Sequence, residues 1–452
     1  MRIGQIGLGY VGLTSAVTFA LRGHTVLCYD TNPDVVMSIN QSTPKSGEFL
    51  QYLQADVKGL VEKKLLSATT NIEALDDCDA YLLSVPTERQ DEPYMDIVNA
   101  LCSELLLFFN EDSPLIIIES TVTPGTTEKI VEQLLDKGYK LDEDYHLAIA
   151  PRRDWFADAE KSVANLPRVV GGASPDSTER AVKVLANICR NIQVTTADVA
   201  ELTKSVENAL LNVQVTFCEN LASSYSHVDV NRVIELATTH WRLNPLHLGA
   251  GISGRCIPLS LKYLKEGLTD NSYSRFFQTV MDEDSYYRHD IITELYIRYE
   301  DIVSTRIKDE NVDVIEVGIL GLGYRKDFRD IGGSPGMFFY KEFKEMYRIN
   351  GSYDEKEYQR LILGVYDPLF SSEELAKYKL NSFDPFKRWD MLLIATPHTV
   401  FEIHAVELIS KNKGKGSLVL DTYGIWEKHS ALMAEKGITY VRVGNPNWIS
   451  NQ

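Results

Sequence analysis

An apolar run, Met1 to Ile6, passes straight into Gly7-Leu8-Gly9-Tyr10-Val11-Gly12, and a second apolar run, Asp313 to Leu320, passes into Gly321-Leu322-Gly323-Tyr324. Few arrangements constrain a fold as tightly as a buried strand that must turn at once through glycine. After the first turn comes an apolar helical pattern, Leu13 to Leu21, then a Gly-His turn and a strand-like Thr25 to Tyr29 that ends on Asp30. Strand, G-x-G-x-x-G, helix, strand and acid in this order form the fingerprint of a dinucleotide site. The glycines allow a tight turn, close approach of a pyrophosphate and helix-on-strand packing, and the helix N-terminus offers amides and a favourable dipole. Gly7, Gly9, Tyr10, Val11 and Gly12 are therefore candidate cofactor contacts. Asp30 is placed to accept the adenosine ribose hydroxyls, and it would repel a 2′-phosphate, which favours NAD over NADP. The plainer alternative is a glycine-rich turn in some other α/β fold.

The alternation continues down the chain. Ala80–Val85 ends in Pro86-Thr87, Pro114–Glu119 ends in Ser120-Thr121, and Tyr145–Ala150 ends in Pro151. Ligands of open α/β sheets lie outside the carboxyl ends of the strands, so Pro86, Thr87, Ser120 and Thr121 are further candidates for the cofactor. From Val199 to Val228 no glycine or proline interrupts an apolar pattern of helical spacing. Such length suits a connector or a dimer spine. Lys204 and Asn208 share one face of it, although a solvated lysine and a surface asparagine read the same way. Beyond further helical sequence, strands at 313–320, 361–366, 391–395 and 417–420 repeat the doubly wound pattern. The expected fold is α/β: two doubly wound Rossmann-like domains joined by a long central helix and a helical dimerisation region. The expected boundaries are 1–196, 197–300 and 301–452.

A net charge of -18 argues against nucleic acid or an anionic membrane as partner. Six scattered cysteines form no CxxC pair, so neither a disulfide framework nor a metal site is expected. No apolar stretch matches a signal peptide or membrane span, and a cytoplasmic setting is the expectation. One cysteine stands apart: Cys256, in Gly249-Ala250-Gly251-Ile252-Ser253-Gly254-Arg255-Cys256-Ile257-Pro258. At the tip of a glycine loop it is either a small buried hydrophobe or a nucleophile.

Taken together, these motifs resemble the UDP-glucose/GDP-mannose dehydrogenase family over essentially the whole chain. The resemblance rests on GLGYVGL at 7–13, VPT at 85–87, ESTVTPGTT at 119–127, ELTKSVEN at 201–208 and GAGISGRCIP at 249–258. It continues in GLGYR with SP at 321–335, YDP at 366–368 and DTYGIW at 421–426. The neighbouring THWRLNPLHLGAG looks more like the branch acting on UDP-N-acetylhexosamines than the UDP-glucose branch. The family implies oxidation of a nucleotide-sugar CH2OH to a carboxylate with two NAD+, in the service of surface-polysaccharide synthesis. It implies that Cys256 captures the aldehyde as a thiohemiacetal and carries it to a thioester. Lys204 and Asn208 would hold the developing oxyanion, and Thr121 would position a water or the reacting oxygen. Gly251 and Gly254 would let the loop approach the sugar, beside Tyr324, and Arg242 would reach substrate across the subunit boundary of a homodimer.

Several positions depart from the family pattern. Ser260 stands where an acid follows the cysteine, Arg152 and Phe156 where two glutamates follow the strand near Ala150, and Gly332 where an arginine precedes Ser-Pro, with Arg329 nearby. One reading is a more anionic substrate paired by Arg152 and Arg153. Another is slow thioester hydrolysis, or a different base such as Asp154 or neutral Lys204. A third is a local realignment that restores an acid. Two rival functions remain from the sequence: a β-hydroxyacid-type dehydrogenase making a single oxidation, and a catalytically impaired nucleotide-sugar-binding homologue.

Overall fold

The computed structural model describes the chain outside residues 45–49, 51–52, 54, 109–112, 156–158, 310–313, 351–360, 413–415 and 451–452. Phe156 and Asp313 lie outside the described residues. The chain divides into two compact units, Met1–Asn208 with Leu259–Ser274, and Ala209–Pro258 with Arg275–Gln452.

The first unit is built on β1 (Arg2–Ile6), β2 (Thr25–Tyr29), β3 (Leu66–Thr69), β4 (Ala80–Leu83), a small hairpin of β5 (Glu88–Arg89) and β6 (Glu92–Pro93), β7 (Leu115–Ile118), β8 (His146–Ile149), β9 (Arg168–Gly172) and β10 (Ile192–Thr196). The main sheet has the order β10-β9-β8-β7-β4-β1-β2-β3. Strands β3 to β8 of that sheet run parallel, and β9 meets β8 antiparallel. Strands β4, β7 and β8 are buried along their full length, as expected where helices cover both faces of a parallel sheet. The connections leave β1 and β4 in opposite directions, so the crevice of this sheet opens at their carboxyl ends. The Tyr10–Leu21 helix starts there and is buried from Gly12 to Ala20.

The second unit holds β11 (Ile315–Leu320), β12 (Leu361–Tyr366), β13 (Met391–Ile394), β14 (Ser417–Asp421) and β15 (Ile438–Arg442), all parallel, in the order β12-β11-β13-β14-β15. This is again a doubly wound sheet, with its switch point between β11 and β13. The Pro335–Asn350 helix brings Phe343 against Tyr296 and Tyr299 of the Ser274–Asp309 helix, in edge-on ring contacts at 5.6 Å.

The long central helix runs from Ala197 to Ser224, ending short of the expected Val228. Cys256 does not sit at a loop tip. It is the first residue of a helix, Cys256–Glu266, and Pro258 is accommodated because first-turn N–H groups have no intrahelical partner. Among the described residues no helix is long and apolar enough to cross a membrane.

Candidate active site

The glycine turn after β1 is dictated by contact. Gly7 has φ +85°, and a Cβ there would lie 2.4 Å from the Ser84 carbonyl oxygen; a Cβ on Gly12 would lie 1.9 Å from that of Gly7. Among the described residues nothing beyond its chain neighbours would come within 4 Å of a Cβ on Gly9, so the turn offers open space beside the amides of Tyr10 and Val11, which begin the helix. Asp30 accepts the Leu8 N–H and the Asn32 N–H, both at 2.9 Å, which fixes a half-buried carboxylate against the turn. These residues fit a dinucleotide with a free ribose diol.

The two loops flanking the crevice are stitched together. Ser120 donates to the Val85 carbonyl at 2.7 Å, and Thr87 donates to that of Thr121 at 2.7 Å. Pro86 is exposed between them. Thr87 also meets the Tyr263 hydroxyl at 2.8 Å, so this buried threonine ties loops together instead of presenting its hydroxyl to a ligand. Tyr263 had no signal in the sequence. Glu201 opens the ELTKSVEN motif without a role assigned to it there; its carboxylate accepts the Gly125 and Thr127 N–H groups, each at 2.7 Å. It thereby closes the N-terminus of the Thr126–Asp136 helix. Burial raises the Glu201 carboxyl above its ordinary range against those donors. Farther along the Ala197–Ser224 helix that carries Glu201, Asn208 Nδ2 donates to Ser260 Oγ at 3.0 Å, so the hydroxyl that replaces the family's acid is engaged by a predicted catalytic residue. Lys204 lies 3.8 Å from Glu207, which also pairs with Arg153 Nε at 2.5 Å. Arg153 further donates to the Pro167 carbonyl at 2.7 Å. An acid therefore sits beside both cations.

Arg152 is where the structure corrects the sequence reading. It is 6% exposed and makes a two-pronged pair with Asp154, Nε to Oδ1 at 2.7 Å and Nη2 to Oδ2 at 2.6 Å. Its other donors reach the Val11 carbonyl at 3.2 Å, Thr14 Oγ1 at 3.1 Å and Ser15 Oγ. Glu119, buried beside it, accepts from Arg168 at 2.7 Å, Ser15 at 2.6 Å and Ser84 at 2.8 Å. The guanidinium is thus committed to internal acids and to the first turns of the Tyr10–Leu21 helix, and is not offered to a substrate anion. Asp154 is likewise poorly suited as a general base. Burial pushes its carboxyl up, but the Arg152 guanidinium, with Arg168 behind it, outweighs burial and holds it below the usual carboxylate range.

In the second unit, Gly251 and Gly254 take φ of +89° and +80°. The Tyr324 ring packs under Gly254, 3.1 Å from where its Cβ would lie, and burial raises the Tyr324 phenol. The arginine missing at Gly332 has a local counterpart: the Arg255 side chain passes 2.7 Å from the position of a Gly332 Cβ. Arg329 instead pairs with Glu374. Arg242 stacks on the exposed Trp241 ring at 4.7 Å. The second glycine turn differs from the first, because buried Asp367 accepts the Leu322 and Gly323 N–H groups at 2.6 and 2.9 Å and meets His398 Nε2 at 3.0 Å. Its acid is occupied by its own turn.

Comparisons with known proteins fit this geometry. The NAD binding domain of the UDP-glucose/GDP-mannose dehydrogenase family matches residues 1–189, and the central domain of that family matches residues 198–283. The UDP-N-acetyl-D-mannosamine dehydrogenase of Methanococcus maripaludis is 28% identical over 99% of this chain and 98% of its own. The UDP-N-acetyl-D-glucosamine 6-dehydrogenase of Pseudomonas aeruginosa is 25% identical over 93% of this chain and 96% of its own. In fold, the solved UDP-D-ManNAc dehydrogenase of Pyrococcus horikoshii matches with a TM-score of 0.83 at 23% identity, covering 98% of this chain and 99% of that one. The chain belongs to the UDP-glucose/GDP-mannose dehydrogenase family and is an NAD-dependent nucleotide-sugar dehydrogenase.

Proposed function

We propose that this enzyme oxidises the C6 hydroxymethyl of a UDP-N-acetylhexosamine to the carboxylate, with Cys256 as the covalent nucleophile. The observation that carries the reading is a single helix. It begins with the exposed Cys256 and, one turn on, presents Ser260 to Asn208. Gly7, Gly9, Tyr10, Val11, Gly12, Asp30 and the loops carrying Pro86, Thr87, Ser120 and Thr121 would hold NAD+, which would supply a hydride acceptor for each oxidation in turn, NADH leaving and a second NAD+ entering between them. The thiolate adds to the C6 aldehyde to give a thiohemiacetal, whose oxidation leaves a thioester; attack by water releases the acid and returns the thiol. Lys204 and Asn208 stabilise the oxyanion at C6, and Thr121 positions a water or the reacting oxygen. Fixed donors of this kind have most effect where water is excluded. Gly251, Gly254 and Tyr324 shape the sugar side. The relatives of similar length support the N-acetylhexosamine. NADH formation across UDP-N-acetylhexosamines, UDP-glucose and GDP-mannose tests the choice. The expected result is the highest kcat/KM on a UDP-N-acetylhexosamine, and a preference for UDP-glucose or GDP-mannose would overturn it.

We assign NAD binding to residues 1–196, dimerisation to 197–300 and nucleotide-sugar binding to 301–452. Hydrogen exchange should show NAD+ alone protecting the first stretch and UDP the last; the reverse pattern would exchange the two ends. A homodimer, with Arg242 reaching the substrate of the partner subunit, is supported by exposed Phe217, Val233, Leu236, Trp241 and Leu243. Four of these five lie within residues 233–243, and apolar side chains exposed close together suit an interaction surface. Sedimentation at assay concentration should return twice the chain mass, and a monomer would remove Arg242 from the site.

A further inference from the structure

Residues 249–252, which lead toward Cys256, are gripped from two elements of the second unit, with a third side chain, Glu219, set against the grip. From the Ser274–Asp309 helix, the Tyr287 hydroxyl donates to the Gly249 carbonyl at 2.7 Å, and Asp284 Oδ1 accepts the Ile252 N–H at 2.7 Å. Arg288 donates to the Ile252 carbonyl and pairs with Asp284 Oδ2 at 2.7 Å. Its stem fills the space beside Gly251, 2.6 Å from where a Cβ would lie. From the turn after β14, the Tyr423 ring packs 2.8 Å from the position of a Gly249 Cβ. Against Asp284 lies Glu219 of the Ala197–Ser224 helix, 1% exposed.

Glu219 is the anomaly in this clamp. Both its carboxyl oxygens are buried, and no N–H or hydroxyl donor among the described residues reaches either. A buried carboxylate without donors is costly. Its carboxyl nevertheless lies in hydrogen-bonding contact with that of Asp284, and two ionised carboxylates cannot make that bond because both only accept. Asp284 is the better anion, having the Ile252 amide and Arg288, so the shared proton belongs on Glu219.

We infer that Glu219 is a positioning residue, a neutral acid whose O–H donates to Asp284 and so fixes the Asp284–Arg288 pair on the loop that leads into the Cys256 helix. Its importance for turnover rests on the proposed role of Cys256. The groups facing Glu219 are Asp284, Tyr287 and Arg288 from one helix, Tyr423 from the β14 turn, and Cys218 on its own helix. Burial, then the charge of Asp284, push the Glu219 carboxyl well above its ordinary range, with Arg288 pulling the other way. A carboxyl whose folded value is raised binds its proton more tightly in the folded state. Stability therefore falls as pH climbs from the unfolded value to the folded one. Past that point an ionised Glu219 repels Asp284, and the anchor on Ile252 loosens.

Hydrogen exchange of residues 249–256, corrected for intrinsic rate between about pH 6 and about pH 10, tests this. The wild type should lose roughly tenfold protection across that range, as one displaced titration can give. E219Q, whose amide donates to Asp284 at every pH, should keep its protection, and E219L should be poorly protected throughout. In turnover, the alkaline limb of kcat/KM for the sugar should move upward in E219Q, with the KM for NAD+ unchanged. E219Q losing protection like the wild type, or E219L matching the wild type, would overturn the assignment. Exchange needs no turnover, so failure to oxidise any nucleotide sugar would sink the proposed function and still leave the clamp judged on its own.

Discussion

Replacing Cys256 by serine is expected to lower carboxylate formation by ~10³-fold or more while leaving the fold and NAD+ binding intact. The size follows from chemistry. A serine hydroxyl is scarcely ionised near neutrality, whereas a thiol is partly so and is intrinsically more nucleophilic. No other cysteine can substitute. Cys28, Cys102, Cys189 and Cys218 are buried and Cys78 is half-buried, and burial pushes Cys102 up to about 12 and Cys218 up to about 11. The fold should survive because Cys256 is exposed and packs no core. The experiment also separates the families of chemistry: a β-hydroxyacid-type enzyme, which makes one hydride transfer and uses no thiol, should change by less than about twofold. Steady-state assay of NADH and of acid product on C256S reads both outcomes.

Removing Arg152 is expected to damage the fold before it damages substrate binding. R152L leaves Asp154 buried without its two-pronged partner and strips one cation from Glu119, 3.9 Å away. Breaking a buried pair from one side costs about 3–5 kcal/mol. The pH dependence has a definite sign. Asp154 is held below its ordinary value, so its contribution is present above the unfolded carboxylate value and is lost as pH falls through the folded one. The gap between wild type and R152L should therefore be widest near neutrality and narrow in acid. Adding D154N to R152L should restore part of the loss, since the stranded charge is then gone. Urea denaturation of the three proteins measures this. A surface arginine waiting for a substrate anion would instead change stability by no more than about 0.5 kcal/mol and act on KM alone.

How much of this was legible in sequence depends on the reach of each interaction. The parallel strands were readable because strands such as β7, Leu-Ile-Ile-Ile, are buried on both faces and show it as an unbroken apolar run. The first glycine turn was readable because strand, glycines and helix follow one another in a single run of sequence, although the Ser84 carbonyl that crowds Gly7 comes from a distant strand end. Strand β10 escaped because most of its side chains are solvent-facing at the edge of the sheet, leaving little apolar pattern. The helix at Cys256 escaped because Pro258 reads as a breaker, yet the first turn tolerates it. Arg152 could be seen as an arriving charge, and Asp154 stood two residues away. Its grip on Val11, across 141 positions, is a tertiary contact without a local signature. Glu219 is the same case: one more polar residue on a helix until Asp284 is packed against it.

The most direct test of the whole account is the end-point count of NADH per sugar, with limiting UDP-N-acetylhexosamine and excess NAD+. Two NADH and one uronic acid per sugar are expected from the wild type, and loss of that acid from C256S. One NADH per sugar with an aldehyde or ketone product, or two from C256S at the wild-type rate, would contradict it.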